Sequence, residues 1–180
     1  MVNLHTDHIH HVIKGLFIGD IYAARNLKLL TSLKISHIVN LSGEKPFFED
    51  QFFYMNIKIA DSPRSNIARY FPVTNWLIDC AIKGGCNVFV HCAAGKSRSA
   101  SIVIAYLLFK NKSMTPNAAF EFLRSKRPIV LPNEGFENQI NMWWISLNPQ
   151  RRIPPKSPPR SPRKAHSATD KRRISVNRQR

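Results

Sequence analysis

A chain of 180 residues with 43% hydrophobic content is long enough for one domain with a real core. Its net charge of +16 is uneven: residues 149–180 hold eleven Lys or Arg against the single Asp170, so +10 sits there, +6 remains elsewhere, and the excess says little about a pocket. The longest apolar stretch, Ile102 to Phe109, is too short to span a bilayer, and three cysteines without a secretory pattern point to a reducing compartment, cytoplasmic or nuclear.

In chain order, Met1 to Lys14 is polar and carries His5, His8, His10 and His11. Without cysteines or carboxylates at fixed spacing these do not read as a metal site, so residues 1–11 are expected to be a flexible N-terminus, with the domain covering 12–148. Strand-like runs fall at Leu16 to Ile18, His37 to Asn40, Phe53 to Ile59 and Val88 to His91. Helical stretches fall at Ile21 to Leu33, Ala68 to Ile82, Ser97 to Lys110 and Pro116 to Lys126, the last with Thr115 as cap and Pro116 in its first turn. Asn133 reads as the N-cap of a further helix carrying Phe136, Ile140, Trp143 and Leu147. The alternation predicts a single α/β domain with a mostly parallel central sheet and helices on both faces, followed by a disordered basic C-terminal tail. No metal or cofactor is called for.

The most informative segment is Val88 to Ala100, where a strand, a tight loop and a helix follow one another and Cys92 and Arg98 stand six positions apart. The loop therefore lies at a helix N-terminus, whose unpaired amides and positive dipole end favour an anion, either a phosphate or a thiolate. Cys92 is the candidate nucleophile, and Arg98 the fork that grips two phosphoryl oxygens. The amides of Ala93, Ala94, Gly95, Lys96, Ser97 and Arg98 are the candidate phosphate cradle, with Gly95 supplying the turn. Ser99 can hydrogen-bond the cysteine sulfur. His91, adjacent to Cys92, points to the other face of the strand and reads as an orienter of the loop. Cys80 and Cys86 read as structural thiols, because the extended run from Asn87 to His91 holds Cys86 away from Cys92. For the proton that a leaving oxygen needs, Asp61 is the candidate: it follows a strand-like run and precedes Ser62-Pro63, a turn signal.

These residues resemble the cysteine-based protein tyrosine phosphatase superfamily and, within it, the small atypical dual-specificity phosphatases. The likeness covers roughly 10–148 and rests on four further blocks: Gly15 to Asp20, Ile35 to Leu41, Ala60 to Pro63, and Arg127-Pro128 through Pro132-Asn133-Glu134-Gly135-Phe136 to Gln139. The resemblance implies hydrolysis of phosphotyrosine and phosphoserine or phosphothreonine through a phosphocysteine, with Asp61 as acid and Asn133 supporting the phosphate loop. Lys96 also resembles the lipid phosphatases of the superfamily, so a phosphoinositide or an RNA 5′ end stands as an alternative substrate, and a non-catalytic phosphoprotein-binding scaffold as another.

The tail adds partners as expectations. Pro155-x-x-Pro158 patterns resemble SH3 ligands, Ser157-Pro and Ser161-Pro resemble proline-directed phosphorylation sites, and Lys171 to Val176 resembles a MAP-kinase docking peptide. Its charge would also suit nucleic acid or an acidic membrane.

Overall fold

A computed structural model describes residues 6–150. The docking-type segment Lys171 to Val176, the SH3-type and Ser-Pro patterns and nearly all of the expected disordered tail lie outside the described residues.

Five strands form one sheet: β1 (Ile9–Ile13), β2 (Leu16–Gly19), β3 (Ile35–Asn40), β4 (Phe53–Asn56) and β5 (Asn87–His91), in the order β1-β2-β5-β3-β4. Only the β1–β2 hairpin is antiparallel. Short helices α1 (Ile21–Ala24) and α2 (Leu27–Ser32) cover one face of the sheet. The other face carries α3 (Phe71–Lys83), α4 (Arg98–Lys110), α5 (Pro116–Lys126) and α6 (Glu134–Leu147). Strand alternation divides the two cores: Val88 and Val90 join the larger cluster with α4, whereas Phe89 turns to Leu29 and Leu30. Helix α4 is buried nearly all round, from Ser99 to Leu108, so its first turn cannot shift without disturbing the main core.

Several boundaries correct the sequence reading. The N-terminal residues 6–11, expected to be flexible, form a short 3-10 turn and then β1, because Ile9 and Val12 bury themselves and the strand pairs with β2. The polar histidines between those apolar residues had masked the pattern. The stretch Ile21 to Leu33 is two helices, since Asn26 leaves the helical path to cap α2 through Leu29 N–H. The strand expected over Phe53 to Ile59 stops at Asn56, whose side chain accepts from Asn40 Nδ2 at 3.0 Å. The helix expected from Ala68 begins as a 3-10 turn, and its α-helical part starts at Phe71.

Cys92, at the carboxyl end of β5, is 1% exposed. Cys80 is exposed and Cys86 half-buried. Both line a groove of about 370 Å³ between α3 and the amino ends of β3 and β4, at the end of the sheet opposite Cys92.

Candidate active site

The loop from Cys92 to Ser97 joins the last strand to α4, and its backbone is turned inside out. The carbonyls of Ala93, Ala94, Gly95 and Lys96 all accept hydrogen bonds from outside the loop: from Ile21 N–H at 3.1 Å, Arg127 Nη2 at 3.0 Å, Arg127 Nε at 2.9 Å and Leu131 N–H at 2.9 Å. With its acceptors facing outward, the loop presents amides inward, and Gly95 N–H donates to Cys92 Sγ at 3.2 Å. Gly95 has φ +67°, and a Cβ there would stand 2.5 Å from Gly19 O and 2.7 Å from Arg127 Nη2, so only glycine fits. Ser99 Oγ lies 3.2 Å from the same sulfur and is fully buried. Ser97 occupies the N-cap position of α4 but does not cap it; its hydroxyl donates to Asp61 Oδ1 at 2.7 Å, leaving the first-turn amides of α4 without a side-chain acceptor.

Arg98 is aimed by backbone. Its Nη1 donates to the carbonyls of Leu41 (2.7 Å), Ser42 (3.3 Å) and Ile59 (3.3 Å), at the carboxyl ends of β3 and β4. Its Nε is buried without a hydrogen bond and sits 3.7 Å from Asp61 Oδ2. A buried guanidinium donor left unmatched is costly unless a ligand completes it.

Asp61 is carried to this mouth by the start of α6. Asn133 does two things at once: its Oδ1 caps α6 through Phe136 N–H at 3.0 Å and its Nδ2 donates to Asp61 Oδ1 at 2.8 Å. Its backbone N–H donates to Ser97 Oγ at 3.2 Å. Gly135 lies against the Pro63 backbone so closely that any Cβ would collide with Pro63 O. One turn on, Gln139 accepts from Ala68 N–H (2.9 Å) and donates to Ser65 O (2.8 Å). The spacing Asn-x-Gly-x-x-x-Gln thus places three residues along the first turns of one helix, which hold Asp61 itself and the segment from Pro63 to Ala68. Asp79, a buried carboxylate on α3, is held down to about 2 by Lys110 and Lys83.

Sequence reasoning assigned no role to Arg127 or Asp20, because a lone arginine before a proline carries no signal of burial. Arg127 is 1% exposed and spends every nitrogen: beyond its two loop carbonyls it donates to Asp7 O (2.8 Å), to His10 Nδ1 (2.9 Å) and to Asp20 Oδ2 (3.3 Å). Asp20 in turn caps α1 and accepts from His8 Nδ1 at 2.8 Å. Arg127→Met is expected to destabilise the fold by roughly 3–5 kcal/mol, because it takes the guanidinium from a buried pair with Asp20 and leaves the carbonyls of Ala94 and Gly95 without their donors. Adding Asp20→Asn restores part of the melting temperature, yet turnover of an aryl phosphate stays about a hundredfold down, since the loop carbonyls still lack their donors. Activity that recovers in step with the melting temperature would show that Arg127 acts on stability alone.

His91 lies on the side of β5 away from Cys92, stacked on Phe89 at 5.3 Å and 13°, with Nδ1–H directed at Cys92 O at 3.4 Å. Burial pushes its pKa down to about 4. The folded protein therefore holds a neutral His91 where the unfolded chain, near 6.5, takes up a proton; stability is full above 6.5 and is lost as pH falls toward 4, by up to about 3 kcal/mol. Thermal melts from pH 7.5 to 4.5 should show the fall, and His91→Gln should flatten it relative to the parent chain.

A family model described as the dual specificity phosphatase catalytic domain matches residues 16–145. The chain belongs to the dual-specificity phosphatase family. Among its relatives, dual specificity protein phosphatase 1 of Arabidopsis thaliana is 38% identical over 128 residues, 71% of this chain and 64% of that protein. The Dictyostelium discoideum MAP kinase phosphatase with leucine-rich repeats protein 3 is 41% identical over 131 residues, 72% of this chain but 15% of that protein. The chain thus spans less than two thirds of either. A crystal structure of the human tyrosine phosphatase-like serine/threonine/tyrosine-interacting protein superposes with a TM-score of 0.72 at 34% identity, covering 76% of this chain and 95% of that one. Within this dual-specificity phosphatase domain the fold brings Cys92, Arg98, Ser99, Asp61, Ser97 and Asn133 to one mouth and keeps His91 behind it. Among the described residues no helix is long and apolar enough to cross a membrane.

Proposed function

We propose that this chain is a dual-specificity protein phosphatase working through a phosphocysteine. The observation that carries the reading is the sulfur of Cys92 set in a loop whose carbonyls all face away from it, with Gly95 N–H and Ser99 Oγ each 3.2 Å from it. Donors converging on the sulfur stabilise negative charge there as it departs from phosphorus. The thiolate attacks phosphorus in line; the S–P bond forms as the ester P–O bond breaks, while the loop amides and the Nε side of Arg98 hold the three equatorial oxygens. Asp61 gives its proton to the departing oxygen. Because Oδ1 already accepts from Ser97 and Asn133, the proton belongs on Oδ2, the oxygen that faces Arg98. Water then attacks the phosphocysteine, Asp61 takes up its proton, and the P–S bond breaks to release phosphate, with Ser99 donating to the returning thiolate.

Phosphotyrosine, phosphoserine and phosphothreonine proteins are the substrates in this reading, MAP kinases among them, as the name of the Dictyostelium relative suggests. Metal-free release of phosphate from an aryl phosphate and from the three phosphopeptides, with 32P trapped on Cys92 after rapid acid quench, is the test. The name of the human structure favours a second reading, a phosphoprotein-binding scaffold. Folded protein that binds phosphopeptide without turnover would replace the first reading by that one.

A further inference from the structure

Between Arg127 and Asn133 the chain runs as a strap along one side of the Cys92–Ser97 loop. It is fastened at three points: Arg127 to the carbonyls of Ala94 and Gly95, Leu131 N–H to Lys96 O, and Asn133 to Ser97 and Asp61. Its side chains alternate. Val130 is 2% exposed and Pro132 is buried, whereas Ile129 is 52% and Leu131 53% exposed. Two aliphatic side chains at positions i and i+2 therefore stand outward on the strap that borders the loop, each about half exposed. The backbone bond of Leu131 to Lys96 fixes how near they are: Lys96 is itself exposed and belongs to the loop. Single exposed aliphatics are ordinary on a protein surface; what sets these two apart is that they stand at alternate positions of a strap tied by backbone to the phosphate loop.

We infer that Ile129 and Leu131 form an apolar wall that receives a side chain flanking the phosphorylated residue, so that the site takes an extended polypeptide with an aliphatic or aromatic neighbour beside its phosphoresidue. An extended peptide presents same-side chains about 6.6 Å apart, so a residue two positions from the phosphoresidue reaches a wall bordering the loop. The hydroxylated inositol ring of a phosphoinositide head carries no aliphatic side chain at that distance from its phosphates. The inference rests on the phosphatase reading and names its substrate class.

The test compares the parent chain with Ile129→Ser/Leu131→Ser, which leaves the backbone bond of residue 131 in place. The substrates are an aryl phosphate, a phosphotyrosine peptide with leucine two positions to either side, the same peptide with serine there, and vesicles carrying a phosphoinositide. The parent chain is expected to prefer the leucine peptide over the serine peptide by about tenfold in kcat/KM, through KM. The double variant should lose that preference and keep its aryl phosphate turnover. Equal kcat/KM for the two peptides in the parent chain would sink the inference while aryl phosphate turnover still upheld the phosphatase reading. A variant that lost vesicle turnover and kept its peptide preference would instead mark the two residues as a lipid contact and overturn the polypeptide assignment. Absence of aryl phosphate turnover in the parent chain would remove the underlying reading itself.

Discussion

Cys92→Ser is expected to lower kcat by about four orders of magnitude or more, on every phosphate ester tried, while the melting temperature moves by no more than about 4 °C. The reason lies in what surrounds the sulfur. Gly95 N–H and Ser99 Oγ stabilise an anion that a thiol can form at neutral pH and a hydroxyl cannot. A serine would need a base to take its proton, and His91 cannot serve: its ring is stacked on Phe89, on the opposite side of β5, and its Nδ1–H is directed at a carbonyl. Both partners of the sulfur can equally bond an oxygen, so the fold should tolerate the exchange. Circular dichroism melts beside stopped assays of phosphate release check both halves. Residual turnover within tenfold of the parent would mean that water, and not Cys92, attacks phosphorus.

Asp61→Asn is the second large effect, roughly 10²- to 10³-fold in kcat for a phosphoserine peptide. The amide keeps an oxygen for Ser97 Oγ and Asn133 Nδ2, so the bonds that shape the mouth are retained, while the transferable proton and the carboxylate charge beside Arg98 are removed. The loss should therefore grade with the leaving group. An alkoxide leaving from phosphoserine needs the proton fully, whereas an electron-poor phenolate leaves nearly unaided and should slow by about tenfold or less. A Brønsted plot of kcat against leaving-group pKa, steep in the variant and shallow in the parent, reads this directly. Parallel lines would contradict proton donation by Asp61 and leave it the part of a tether between Ser97 and Asn133.

Much of the site can be read from the chain because its central piece is contiguous. Cys92, the loop and Arg98 are brought together by one strand-loop-helix crossing, so local periodicity and a helix N-terminus suffice to place them. Asn133 shows the limit of that approach. The sequence leaves cap and loop support as alternatives, whereas in the structure the side chain caps α6 through Oδ1 and holds Asp61 through Nδ2, and it is the backbone N–H that reaches the loop, at Ser97 Oγ. Arg127 and Asp20 lie further out of reach, because their pairing spans 107 residues and depends on β1 being a strand. That strand was hidden by histidines whose polarity suggests solvent, although His10 accepts from Arg127 and His8 donates to Asp20.

The α/β class, four of the five strands, the candidate sulfur nucleophile, its guanidinium partner and the acidic residue on a turn follow from the amino-acid sequence alone, since each rests on spacing within a dozen residues. The tertiary structure decided which way the loop carbonyls face, which oxygen of Asp61 accepts from Ser97 and Asn133, and that Ile129 and Leu131 are exposed on a strap bonded to the loop. Those features depend on donors arriving from Ile21, Arg127, Leu131 and Asn133, and no local pattern specifies contacts between segments that meet only when the sheet and α4 close the core.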